Sequence, residues 1–137
     1  MGAPQGGMLG AVLQFLIQMK VIKFGIASQE QIRKRVLAIA KGKIKPKTGD
    51  PKVWFTSMHS LAEVLSDDNR ALLQVIRTAK PQSISELADM TGRKQGNLSR
   101  TLKTMSHYGL VEMRRATGSA RAVRPVTRVS RYEIVAA

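Results

Sequence analysis

The chain has 137 residues, 43% of them hydrophobic and 23% charged, which allows one packed core and excludes two large domains or a disordered polyelectrolyte. With no Cys and only 4% aromatic residues, disulfides, thiolate metal sites and Cys nucleophiles are excluded, and the core has to come from Leu, Ile, Val, Ala and Met. Twenty-three Lys and Arg against nine Asp and Glu give a net charge of +14 and a pI near 11.0, which solubility alone does not require.

Such a balance points to a polyanionic partner, with nucleic acid ranked first, an anionic membrane surface second and an acidic protein third. The charge is unevenly spread: ten basic residues and two acids over 20–52, two and three over 53–79, eleven and four over 80–137. Two basic stretches therefore flank a near-neutral middle.

Residues 8–19 are apolar but shorter than the run of about 20 that spans a bilayer, and they lack the flanks of a signal peptide. Residues 1–18 are expected to be an extension without a fixed fold, or to precede a true start at Met19. "KVIKFGI" alternates and predicts a strand over residues 20–26. Ser28 then caps a helix in which Ile32, Val36, Ile39 and Ala40 share one face, opposite Arg33, Lys34 and Lys41. "GKIKPKTGDP" reads as a linker. The expected division is an extension (1–18), a strand–helix arm (19–45), a linker (46–52) and a folded domain (53–137).

Trp54 and Phe55 read as an apolar anchor onto that domain rather than a base-stacking platform. Ser57 or Ser60 starts a short helix, and Ser66 and Asp67 open another with Leu72, Leu73, Ile76 and Ala79 inward. Ser83 or Ser85 caps a third, holding Leu87, Ala88 and Met90 and ended by Gly92. A fourth runs from about Lys94 to Tyr108. Two helices joined by a tight Gly-containing turn make a helix-turn-helix.

In that last helix Leu98, Leu102 and Met105 form an apolar stripe at i, i+4, i+7. Arg93, Gly96, Arg100, Lys103 and His107 project opposite, with Asn97, Ser99 and Thr104 beside them. A charged face opposite an apolar one is often only solvated. Here no acid occurs between Gly92 and Tyr108, and Arg, Lys, Asn and Gln are the types that bond base edges. Gly96, a poor helix former, suits close approach to a phosphate or backbone.

"GLVEMRRATGSARAVRPV" predicts a hairpin with strands at 110–115 and about 122–126. Six Arg, at 114, 115, 121, 124, 128 and 131, and no acid lie between Glu112 and Glu133. A charged edge hairpin guarded against aggregation explains any one of them; a wing beside the groove explains all six.

"ISELADMTGRKQGNLSRTLKTMSHYGLV" with this hairpin resembles the winged helix-turn-helix of MarR-type transcriptional regulators, and within them a small group that includes suspected antitoxins. The resemblance implies an α+β fold with a three-helix core, a β-hairpin wing and the strand–helix arm. It also implies a homodimer on pseudo-palindromic double-stranded DNA, acting as a repressor. Lys94, Gln95, Gly96, Asn97, Ser99, Arg100, Lys103 and Thr104 are placed in the major-groove region, and residues 115–121 as the wing. The long flanking helices through which MarR proteins dimerise are not evident in this chain.

Among these residues Arg100 and Asn97 are the expected base readers, and Lys94, Lys103, Arg114, Arg115 and Arg121 the expected phosphate contacts, with Arg93 beside them. An enzyme is not expected, because His59 and His107 have neither Cys nor clustered carboxylates beside them. No cofactor or metal is called for, no membrane role fits, and a cytoplasmic location is expected. The alternative is an antitoxin whose arm binds a toxin protein while the wing domain represses its own operon.

Overall fold

Serine starts four of the helices. Ser28 precedes α1 (Gln29–Ala40), Ser57 α2 (Met58–Val64), Ser66 α3 (Asp67–Ala79) and Ser83 α4 (Ile84–Thr91), each hydroxyl accepting the N–H three residues on. The Gln31 side chain answers the Ser28 N–H at 2.9 Å, closing a capping box. Helix α5 (Gln95–His107) begins at Lys94 without a side-chain cap. The computed structural model describes residues 9, 10, 13, 20–115 and 123–137. The extension (1–18) and the hairpin tip, with Arg121, fall almost entirely outside them.

The fold is mixed α+β. Strands β1 (Lys20–Ile26), β2 (Val53–Phe55) and β5 (Val129–Ala136) form a parallel sheet with β1 in the middle, and β3 (Glu112–Arg115) pairs antiparallel with β4 (Val123–Val126). The stretch expected as an arm is therefore central. Phe24 of β1, fully buried, meets Phe55 edge-on at 5.5 Å, and Phe55 in turn lies 5.1 Å from Tyr108 at the end of α5. The expected linker folds back as well. Lys23 Nζ donates to the Gly49 carbonyl at 2.7 Å, and Asp50 accepts from Lys47 N–H at 2.8 Å and from Arg35 at 3.0 Å. These bonds, the Lys47 N–H foremost and the Arg35 guanidinium next, hold the Asp50 carboxyl below its ordinary pKa.

The core joins both parts: Leu61 of α2, Leu72, Leu73 and Ile76 of α3, Leu87 of α4, and Leu98, Leu102 and Met105 of α5, with Phe24, Leu110 and Val129. Ala79, expected inward, is exposed at the last position of α3, and Met90 is exposed near the end of α4. Helix α1 buries no residue; Val36 is 58% exposed and Leu37 46%. Trp54 and Phe55, adjacent on β2, face opposite sides: Phe55 enters the core, while Trp54 lies over Gly25 with Arg35 of α1 stacked 5.5 Å from its ring. No helix among the described residues is long and apolar enough to cross a membrane.

Candidate nucleic-acid interface

The site is built on α5. Leu98, Leu102 and Met105 are 0%, 1% and 1% exposed, so one side of the helix is fixed in the core. Lys94, Gln95, Gly96, Asn97, Ser99, Arg100, Lys103 and Thr104 are exposed on the remaining sides. The helix enters from α4 through Gly92, whose φ of +71° and N–H bond to the Ala88 carbonyl, 2.8 Å, make the turn that a side chain would strain.

Its far end is held by the sheet. Tyr108 follows α5 directly and packs on Phe55, while Thr127, buried between β4 and β5, donates to the Leu110 carbonyl at 2.7 Å and accepts the Val129 N–H at 3.1 Å. Arg77 of α3 donates to the Val129 carbonyl at 2.9 Å. Strand β4 packs against α3 and α4. Thus the β3–β4 ribbon and α5 are tied to the same core elements.

The anticipated residues are not equivalent within it. Lys94, Arg100, Lys103 and Arg115 make no ion pair among the described residues, and no acid lies on α5. Arg93 stands in the turn ahead of the helix, half-buried, and donates to the Asp68 carbonyl at 3.0 Å. The Thr104 hydroxyl donates to the Arg100 carbonyl of its own helix at 3.1 Å. Arg114 holds Glu112 through two bonds to one carboxylate oxygen, 3.0 and 2.7 Å, and that pairing lowers the Glu112 pKa. Arg93, Thr104 and Arg114 are thereby engaged within the chain, which their sequence positions did not reveal. Arg121 lies outside the described residues.

Sequence reasoning also missed neighbours. An open depression joins Arg93, Lys94 and Asn97 to Ser66, Asn69 and Thr101, so the start of α3 flanks the start of α5. Asp68 lies there too and offsets part of the positive charge. No spacing signal links residues 66–69 to 93–101, since only the folding of α3 onto α5 brings them together. Beside β3, Arg124 lies opposite Arg114 in register, with its Nε buried and without a partner among the described residues.

The two His do not form a site with carboxylates. His59 lies 3.1 Å from Glu63 on the exposed side of α2, and His107 meets the Tyr108 ring edge-on at 5.3 Å. Among the described residues no group of three or more His, Asp or Glu is arranged to hold a metal ion.

The HVO_A0114 family model matches residues 64–134, just over half the chain, from the end of α2 through most of β5. No curated protein and no solved structure matches it.

Proposed function

The chain belongs to the HVO_A0114 family, and from that premise we propose that it is a sequence-specific, double-stranded DNA-binding transcriptional regulator of MarR-like, winged helix-turn-helix type. Helices α3, α4 and α5 are its three-helix core and β3–β4 its wing. Helix α5 lies in the major groove, and the protein acts as a dimeric repressor on a pseudo-palindromic operator.

The observation that carries the reading is the exposed side of α5, where Lys94, Arg100 and Lys103 stand unpaired among the described residues with Gln95, Asn97 and Ser99 between them. A solvated helix balances its charges, whereas this one offers base-reading amides and a guanidinium with cations at its margins. Arg100 and Asn97 read base edges; Lys94, Lys103 and Arg115 hold phosphates. Arg93 positions the turn through Asp68, and Arg114 is held back by Glu112.

Three phosphate contacts per protomer make about six in a dimer, so affinity for duplex DNA falls by about a thousandfold between about 50 and 200 mM salt. A fluorescence-anisotropy titration with duplex selected from a random pool measures this. Arg100→Ala relaxes sequence discrimination by about 1–3 kcal/mol, while Lys103→Ala weakens all sequences alike. Affinity independent of salt would overturn the proposal.

A second reading, an antitoxin that also covers a toxin protein, draws on α1, which buries nothing and exposes Val36 and Leu37 beside a basic face. Co-purification with the product of a neighbouring gene tests it.

A further inference from the structure

The two edges of the parallel sheet differ. Strand β2 is three residues long, whereas β5 runs for eight, and among the described residues no strand pairs with its outer side. Strand β5 contains no Pro, and Ile134 and Val135 are 46% and 41% exposed. Such an edge is a template for another strand.

Backbone parity says how one would fit. The Ala137 N–H donates to the Ile26 carbonyl at 2.8 Å, so from Arg131 onward the odd-numbered residues turn their N–H and C=O groups towards β1. Tyr132 and Ile134 turn theirs to the open edge. An antiparallel partner therefore forms its hydrogen-bonded pairs at even-numbered residues and brings the odd-numbered side chains closest together.

The charges then select the partner. Arg131 and Glu133 flank Tyr132 on the same side of the strand. In a two-fold pairing centred on Tyr132, Arg131 lies opposite the second copy's Glu133, and the reciprocal pair forms by symmetry. Centring on Arg131 or on Glu133 sets like charges against each other, and centring on Ser130 or Ile134 sets both charges against uncharged side chains. Only the Tyr132 register is electrostatically self-complementary.

We infer that β5 is a homodimer interface, in which two copies join antiparallel about Tyr132 to make a continuous six-stranded sheet. Within one chain Glu133 lies 3.7 Å from Lys23 of β1 and 4.0 Å from Arg131, and Arg131 is largely exposed, so dimerisation exchanges the Arg131–Glu133 contact within a strand for two across the interface. Ile134 comes opposite Ser130 in the same register, where β5 shifts register against Lys20 and Val21, so the regular overlap centres on residues 131–133. The inference goes beyond DNA recognition. It specifies how the dimer forms and holds whether or not α5 binds DNA.

Sedimentation velocity of the full chain without DNA, over a concentration series, tests it. The native protein should be dimeric. Glu133→Arg places Arg opposite Arg twice and Arg131→Glu places Glu opposite Glu twice, so each should raise the dissociation constant by about tenfold or more. An equimolar mixture of these two variants restores both opposite-charge pairs and should dimerise again, as should the chain carrying both substitutions. A native protein that stays monomeric would overturn the inference. So would a dimer indifferent to either reversal, as expected if residues 1–19 or another surface supplies the contact. With both variants shown to be folded by circular dichroism, failure of the mixture to regain the dimer would overturn it as well.

Discussion

Helices α1 and α5 share a sequence pattern and differ in what the fold does with it. Each sets Lys and Arg against an apolar stripe. Helix α5 buries Leu98, Leu102 and Met105 and carries no acid, while α1 buries nothing and pairs two of its three cations: Lys34 with Glu30 at 3.2 Å, Arg35 with Asp50 at 3.0 Å. An amphipathic period therefore reports that a helix can pack, and the number of neighbours it meets decides whether it does. The same contrast separates cations that are paired within the chain from ones that stand unpaired among the described residues.

The largest expected effect breaks the comparison if it fails. Leu102→Ala should lower unfolding free energy by about 2–5 kcal/mol, because Leu102 is buried in the core cluster and its removal leaves a cavity there. Val36→Ala on α1 should change it by no more than about 0.5 kcal/mol. Urea denaturation of both variants measures the difference; equal losses would mean that α1 is covered in solution.

Next in size is Gly25→Ala. A methyl group there would lie 2.3 Å from the Trp54 ring, so Trp54 has to leave its place under Arg35, at a cost of about 1–3 kcal/mol. Thermal unfolding and the Trp fluorescence maximum should shift together in that variant. On α5 the outcome inverts. Nothing lies within 4 Å of the Gly96 Cβ position, so Gly96→Ala should stabilise the free protein by about 0.5–1 kcal/mol through helix propensity. If α5 enters the groove as proposed, the same methyl group should weaken DNA binding in the anisotropy assay by keeping the helix backbone from the duplex.

The smallest effect is on pH. The folded pKa of Asp50 is lowered, so the stability it contributes is present above the ordinary carboxylate range and is lost as pH falls through the lowered value. Asp50→Asn should remove that part of the acid sensitivity, seen as a flatter dependence of the urea midpoint on pH below about 4.

Local structure was legible wherever one stretch contained the whole instruction. The caps at Ser28 and Ser66, the Gly92 turn, the α5 stripe and the paired strands β3 and β4 were all read from neighbouring residues. The state of the site was less so. That Arg93 bonds the Asp68 carbonyl and Arg114 the Glu112 carboxylate depends on atoms that a helical projection does not include. Ser66, Asn69 and Thr101 had no motif at all, since they reach the site through the approach of α3 to α5.

By itself the sequence determined the net charge, the order and type of most elements, and the side of α5 that faces away from the core, because these follow from composition, capping and periodicity within a few residues. Only the tertiary structure decided that β1 lies between β2 and β5, that the expected linker returns to α1, and which arginines are already engaged. Those outcomes depend on pairing between chain segments as far apart as residues 20 and 129. Parallel strands carry no local turn signal to announce such a pairing, and a half-buried strand reads alike whether it lies at an edge or in the middle.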